Sequence, residues 1–260
     1  MAQSLQTVKK GMVNNMQKPK MILFDYGQTL IAENRFDGEK GTRAVLKYAT
    51  KNPYNVSAKQ VQDFAKELNR DIGRYDPDVT KSPFIEIHNL IFQKYLYDYF
   101  DLEFNLTPNE VEKVFWDNAS AGKPTNNVKL LLDYLKEAGT RTAVISNISY
   151  SGRALEDRIN TLLPDNNFEF ILATSEYVFR KPHSRIYEFA LRKARLNARE
   201  VWYCGDNAYF DVEGSSKVGI YPVWYRSAME DHNKLFPSVE CLTVNDWVEL
   251  IDKLKEFQDV

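Results

Sequence analysis

Asp25 is the first residue of this chain whose setting suggests chemistry. It follows the apolar run from Met21 to Phe24 and leads directly into a turn that contains Gly27. Such a run is typical of a buried strand, and ligands of open α/β folds bind where these strands end. Asp25 is therefore a candidate catalytic residue. Taken alone, the stretch is equally consistent with an aspartate that only forms an Asx-turn.

Three later stretches place polar residues in similar settings. One predicted strand ends at Ser146 and Asn147, and Lys181 precedes a proline and a predicted helix. A further predicted strand leads into Asp206, with Asp211 five residues beyond it. Each has a plainer interpretation: a helix cap, a solvated lysine, a turn residue and an acid at a helix N-terminus. The order and placement of all of them together favour the functional interpretation.

Alternating helix and strand patterns in the second half of the chain are expected to position these residues. The alternation predicts a parallel sheet with helices on both faces. Because the carboxyl ends of parallel strands share one edge, the polar residues could converge there on the first aspartate. The predicted elements are a helix over 126–138, strands over 142–145 and 168–173, a helix over 185–194, strands over 201–204 and 221–225, and a helix over 245–257.

The region between the first strand and residue 122 carries helix signals instead. Helices are predicted over 40–50 and 84–100, a third begins at the capping box of Ser57, and a fourth begins at Thr107 with Pro108 at its first position. We expect this block to be an insertion that forms a lid over the sheet edge. The predicted organisation is an N-terminal extension (1–20), a core (21–36 and 123–260) and a helical cap (37–122).

Composition excludes several classes of protein. The 260 residues include 43% hydrophobic and 27% charged residues, which is typical of a globular protein. A formal net charge of -2 gives no reason to expect nucleic acid or an anionic membrane as a partner. No apolar segment reaches the roughly 20 residues that cross a bilayer, and Cys204 and Cys241 are expected to be free thiols. We expect a cytoplasmic protein, monomeric or homodimeric.

These four motifs, in this order, make the sequence resemble a haloacid dehalogenase-superfamily hydrolase with a helical cap inserted after the first motif. The resemblance runs from about residue 22 to residue 225. It implies an α/β fold, with a Rossmann-like three-layer parallel sheet core. It also implies that Asp25 is the nucleophile, that Ser146 and Asn147 bind the phosphoryl group and that Lys181 neutralises charge.

The resemblance implies a metal site as well. Mg²⁺ would lie between Asp25, the backbone carbonyl of Gly27 and Asp206, with Asp211 supporting these ligands. A carboxylate can attack phosphorus to form an aspartyl-phosphate when the charge of the substrate is offset. The implied activity is Mg²⁺-dependent hydrolysis of a small phosphorylated substrate.

Gly27 departs from the family pattern. The phosphatases usually carry there a second aspartate, which protonates the leaving oxygen and later activates water. Such a general acid/base is typically worth roughly 10²–10⁴-fold in rate. Neither Tyr26 nor Gln28 can replace it, because a phenol titrates near pH 10 and an amide does not titrate usefully.

Four explanations of Gly27 are open. The substrate could have a good leaving group, or a residue of the cap such as His88 could provide the proton, although a histidine that only packs within a helix is the plainer interpretation. The protein could instead bind a phosphorylated ligand without efficient turnover, as a regulatory protein would. It could also be a 2-haloacid dehalogenase, although Asp206 and Asp211 would then have no metal to bind. For substrate anions, the candidate contacts in the cap are Arg43, Arg70, Arg74 and Lys81, although a solvated helix face is the plainer interpretation of each one.

Overall fold

The computed structural model describes residues 17–74, 85–226 and 236–257. Residues 1–16 of the predicted N-terminal extension, Phe84 and Lys81 lie outside these ranges. The prediction of a helix over 84–100 is wrong at its start, since residues 85–88 are not helical and the helix begins at Asn89. In the described chain the strands are β1 (Met21–Phe24), β2 (Ile31–Glu33), β3 (Ala49–Lys51), β4 (Glu103–Phe104), β5 (Gly122–Pro124), β6 (Arg141–Ser146), β7 (Phe168–Ala173), β8 (Val201–Gly205), β9 (Tyr221–Tyr225) and β10 (Leu242–Val244).

Helices account for most of the remaining structure. A π-helical turn, Ala208–Glu213, follows β8 and runs into the short helix Gly214–Ser216. The longer helices are α1 (Gly38–Leu46), α2 (Ala58–Asp71), α3 (Asn89–Tyr99), α4 (Pro108–Ala119), α5 (Val128–Glu137), α6 (Gly152–Leu162), α7 (Ser184–Ala194) and α8 (Trp247–Lys255).

Six strands form one parallel sheet with the order β10-β9-β8-β1-β6-β7. Its central strand β1 lies between β6 and β8, so the chain runs outward from it in both directions. This reversal of direction creates a crevice at the carboxyl end of β1, where ligands of open α/β sheets bind. Asp25 is the next residue after that strand.

Side chains of β1 alternate between two hydrophobic cores. Ile22 and Phe24 pack into the core that contains Trp247 of α8, whereas Leu23 packs into the core that contains Ile186 of α7. A strand buried on both faces reads as a continuous apolar run, which explains the run that identified it in the sequence. The sheet with helices on both faces confirms the predicted three-layer α/β fold.

A two-stranded antiparallel pair, β2 with β5, stands where the chain leaves and rejoins the sheet. Ile31 lies opposite Pro124 and Glu33 opposite Gly122. Helices α1 to α4 lie between these two strands in the sequence. We call residues 37–121 the helical insertion. Its assignment as a separate cap domain stays a prediction.

The helical insertion is fixed to the sheet region by aromatic and polar contacts. The Trp116 ring of α4 stacks on Tyr150 with 4.1 Å between ring centroids. The fully buried Glu112 of α4 accepts hydrogen bonds from the Ser151 amide, at 3.1 Å, and from the Ser151 hydroxyl. Asn89 of α3 donates to the same carboxylate at 2.9 Å. Trp116 therefore belongs to the seam between the insertion and the sheet region, as its residue type predicts.

Local capping signals predicted the starts of two helices correctly, whereas the end of another helix was predicted wrongly. The capping box predicted at Ser57 is confirmed for α2, and the helix start predicted at Thr107 is confirmed for α4, where the structure shows a second capping box. The prediction of one helix over 40–50 is wrong at its end, since α1 stops at Leu46 and β3 follows. That strand pairs with β4, more than fifty residues away in the sequence, so the pairing that forms it is not local.

No helix in the described ranges is long and apolar enough to span a bilayer. Cys204 and Cys241 are both free thiols, and Cys204 is buried.

Candidate active site

Asp25 emerges from the centre of the sheet and is buried at its carboxyl edge. Its amide donates to the carbonyl of Cys204 at 2.8 Å, which extends the pairing with β8 by one residue. Ser146 ends the neighbouring strand β6, and Asp206 follows β8 on the other side. The expected shared edge therefore exists, because β1 pairs with both of these strands.

Lys181 is the cation of this edge, and it is almost completely buried. Its Nζ donates to Asp25 Oδ1 at 2.7 Å, to Asp211 Oδ1 at 2.5 Å and to the Tyr203 hydroxyl at 2.8 Å. These three bonds use all three ammonium protons. Burial by itself lowers the pKa of Lys181, but Asp211 and Asp25 together raise it above its usual value. The lysine is therefore held charged inside the protein.

Asp25 titrates far from its ordinary range. Burial raises its pKa from 3.8 to about 7; Lys181 opposes this shift, and Asp211 and Asp206 add to it. Repulsion among like charges at close range is strong where water is excluded. A cation placed among the three carboxylates would relieve this repulsion.

The three aspartates form a compact cluster. Asp25, Asp206 and Asp211 each offer an oxygen within 4.8 Å of the others, and all three are buried. Asp211 Oδ2 also accepts a hydrogen bond from the Asn207 amide at 2.9 Å, so this side chain holds both the lysine and the turn. A Cβ at Gly205 would come within 2.5 Å of the Asp211 carboxylate, and only glycine allows this close approach.

The side chains of Asn147 and Ser146 have different roles in the site. The Asn147 side chain clamps the backbone of Lys181: its Nδ2 donates to the Lys181 carbonyl at 2.9 Å, and its Oδ1 accepts from the Lys181 amide at 2.8 Å. Ser146 is buried, and its hydroxyl has no hydrogen-bond partner among the described residues. The Ser146 hydroxyl is thus free for a ligand, whereas the Asn147 side chain positions the lysine.

Two residues of this site were missed in the sequence. Tyr203 accepts from Lys181 and donates to the Ile145 carbonyl at 3.0 Å. Thr29 is fully buried, and its hydroxyl lies 3.4 Å from Asp206 Oδ1. The available signal for Tyr203 was a hydroxyl in an otherwise apolar strand, since a buried hydroxyl needs a partner. Thr29 follows Gly27 and Gln28 in a turn and gave no such signal.

His88 already has partners for both ring nitrogens. Its Nδ1 accepts from the Leu90 amide at 3.2 Å and so caps α3, and its Nε2 lies 3.2 Å from Glu176 Oε1. These contacts agree with the simpler interpretation of a histidine that stabilises a helix.

A cleft of about 1270 Å³ opens within the helical insertion, between α2 and α3, and reaches Tyr150. Arg70 and Arg74 line this cleft, and Arg74 also pairs with Glu86 at 3.3 Å; their contact with a substrate anion stays a prediction. Arg43 instead pairs with Glu39 of its own helix at 2.6 Å on the exposed surface.

Known proteins resemble this chain in sequence and in fold. The profile of the haloacid dehalogenase-like hydrolases matches residues 22–225. A glyceraldehyde 3-phosphate phosphatase of Pyrococcus abyssi is 23% identical over 211 residues, covering 80% of this chain and 81% of that protein.

Two solved structures share the fold. A HAD phosphatase from Thermococcus onnurineus gives a TM-score of 0.59 at 16% identity, covering 90% of this chain and 97% of that one. A 2-haloacid dehalogenase from Pseudomonas syringae pv. Tomato gives 0.60 at 17% identity, covering 92% and 99%. Since a phosphatase and a dehalogenase fit about equally well, the residues of the site must decide the chemistry.

Proposed function

Because the chain belongs to the haloacid dehalogenase-like hydrolases, whose profile spans residues 22–225, we propose that it is a Mg²⁺-dependent phosphohydrolase. It acts on a small phosphorylated metabolite through an aspartyl-phosphate formed on Asp25. The observation that carries this proposal is the buried cluster of Asp25, Asp206 and Asp211 beside Lys181.

The carboxylate cluster suits a hard divalent cation. When all three carboxylates are ionised, the one ammonium of Lys181 leaves an excess of negative charge, and uncompensated charge is costly to bury. Oxygen ligands are those that Mg²⁺ prefers. In the proposed site Asp25, the carbonyl of Gly27 and Asp206 would hold the ion, with Asp211 in support.

The residues of the chain divide the remaining work. When bound, Mg²⁺ would offset the charge that builds up between the nucleophile and the phosphoryl oxygens. Asp25 attacks phosphorus, and Lys181 keeps a positive charge beside the attacked group. The Ser146 hydroxyl donates to a phosphoryl oxygen, and Asn147 keeps the lysine in place.

The class of substrate is supported by the curated relatives. The Pyrococcus abyssi protein is named a glyceraldehyde 3-phosphate phosphatase, and its similarity covers most of both chains. We therefore place a small alkyl phosphate among the first substrates to test.

A screen of phosphate esters with aryl, acyl, sugar and triose leaving groups tests the function. We expect release of inorganic phosphate that requires Mg²⁺ and is lost in Asp25→Asn, because an amide cannot act as the nucleophile. The matched control is Asp63→Asn, which alters an exposed carboxylate paired with Lys59 on α2. Phosphate release by Asp25→Asn at the wild-type rate would contradict the proposal.

The same assay separates the alternatives. Gly27, which carries no acid, favours a second candidate, a weakly active phospho-ligand-binding protein. That candidate predicts Mg²⁺-dependent binding of phosphate esters in calorimetry without turnover. Chloride release from a 2-haloacid in the presence of EDTA would instead identify a dehalogenase.

A further inference from the structure

A carboxylate side chain lies near Gly27. If Gly27 carried a Cβ, that atom would lie 3.9 Å from Glu33 Oε2. Among the described residues, apart from the two chain neighbours of Gly27, no other heavy atom would lie within 4 Å of it. The backbone of Gly27 does not have the positive φ that would require glycine. A carboxylate from β2 thus reaches the region into which a side chain at position 27 would project.

Local pairing brings Glu33 to this place. Glu33 ends β2, opposite Gly122 of β5, and its carbonyl accepts from Gln28 Nε2 at 3.0 Å. The Tyr26 hydroxyl donates to Glu33 Oε1 at 3.1 Å. The side chain is 19% exposed, so it is largely buried but not closed off from solvent.

The charges around Glu33 leave it able to hold a proton. Burial raises its pKa above the usual value of a glutamate, against Arg158 and the hydrogen bonds from Tyr26 and Trp116, which lower it. Arg158 Nη2 lies 3.3 Å from Glu33 Oε1, while its Nη1 donates to Asp117 at 2.8 Å. The guanidinium charge is thus shared with a second carboxylate.

We propose that Glu33 is the general acid and base of this site and supplies the function that Gly27 lacks. This proposal rests on the proposed phosphatase function and identifies a further catalytic residue for it.

Two proton transfers define the role. In the first step Asp25 forms a bond to phosphorus, the bond from phosphorus to the leaving oxygen breaks, and the carboxylic proton of Glu33 passes to that oxygen. In the second step the Glu33 carboxylate takes a proton from water, whose oxygen attacks phosphorus. The bond to Asp25 then breaks, inorganic phosphate is released, and Glu33 is protonated again.

Leaving-group dependence in Glu33→Gln tests the assignment. An alkyl phosphate needs a proton on its leaving oxygen, so we expect its kcat to fall by roughly 10²–10⁴-fold. p-Nitrophenyl phosphate needs none, so its first step should persist while hydrolysis of the intermediate slows. Rapid mixing should then show a burst of nitrophenol, stoichiometric with enzyme, that the alkyl substrate does not give.

Controls separate the outcomes. Glu188→Gln makes the same change at an exposed glutamate paired with Arg185 on α7, and it should keep the wild-type ratio of alkyl to aryl rates. Equal slowing of both substrates by Glu33→Gln without a burst, or no slowing, would show that Glu33 only pairs with Arg158. A wild-type protein without Mg²⁺-dependent turnover would instead refute the phosphatase function itself.

Gly27→Asp provides a second test, in which the expected result is a gain of activity and not a loss. In the Glu33→Gln background the new carboxylate should restore alkyl phosphate turnover by at least tenfold. In the wild-type background it should increase alkyl phosphate turnover only a little, because Glu33 already supplies the acid. A large gain in the wild-type background would mean that no acid was present before, and would overturn the role of Glu33.

Discussion

Lys181 joins two buried carboxylates that would otherwise face each other. Asp25 and Asp211 both accept from its Nζ, and Tyr203 accepts the third proton. Buried charges are tolerated when each is paired and hydrogen-bonded. The lysine therefore serves the stability of the site as well as its chemistry.

Replacing Lys181 by methionine should affect both properties. We expect kcat to fall by about 10²–10³-fold, since one preorganised positive group is lost. We also expect the free energy of unfolding to fall by about 3–5 kcal/mol, because buried carboxylates lose their counter-charge. Urea unfolding without Mg²⁺ at pH 8, above the pKa of about 7 of Asp25, measures the second effect. Lys66→Met on the exposed face of α2 is the control. A more stable Lys181→Met would show that the carboxylates were already protonated.

Asn147 is a positioning residue, because its amide holds the backbone of Lys181 on both sides. Displacement of a catalytic group by about 1 Å can cost about 10²-fold in rate. Asn147→Ala should therefore lower kcat by up to about 10²-fold with a smaller effect on thermal stability. Asn147→Asp, which keeps the acceptor for the Lys181 amide, should lose less. Equal kcat values in Asn147→Ala and the wild type would contradict this role.

At the scale of elements, helix ends are set by local chemistry. Thr107 caps α4 through a reciprocal capping box with Glu110, whose carboxylate accepts from the Thr107 amide at 2.8 Å. The motif needs only residues three positions apart, which is why the sequence located it.

Thr107→Ala should reduce the free energy of unfolding by about 1 kcal/mol, the usual worth of an N-cap hydroxyl. Chemical denaturation measures this, and kcat should stay unchanged because the cap does not contact the site. Thr161→Ala, an exposed position inside α6, is expected to be neutral. An equal loss of stability in both variants would mean that the capping box contributes nothing.

The strand ends of the site could be predicted because they depend on local apolar runs. Asp25, Ser146 and Asp206 each follow such a run, and parallel pairing then brings them to one edge. The position of Glu33 could not be predicted in the same way. It depends on the pairing of β2 with β5 across nearly ninety residues, and neither strand has a distinctive pattern of its own.

At the scale of the whole molecule, ligand binding should act on global stability. An ion that binds only the folded state stabilises it by mass action, by about 2.7 kcal/mol at a hundred times its dissociation constant. The proposed metal site uses residues from separate parts of the sheet, so the whole fold should gain.

Thermal unfolding against Mg²⁺ concentration tests this without any substrate. The midpoint should rise steadily with Mg²⁺ in the wild type, by several degrees at saturation. The rise should disappear in Asp206→Asn and persist in Asp157→Asn, which alters an exposed residue of α6. An equal rise of the unfolding midpoint in Asp206→Asn and Asp157→Asn would show that Mg²⁺ binds elsewhere.

The register of β2 and β5 sets a condition for building chimaeras. Foreign helices could replace residues 37–121, because only these two strands connect them to the sheet in sequence. A slip of one residue would turn alternate side chains to the opposite face. It would also carry the Glu33 carboxylate away from Gly27 while leaving Asp25 in place. Replacement of the helical insertion therefore transfers substrate specificity only when the pairing of β2 with β5 keeps Glu33 opposite Gly122.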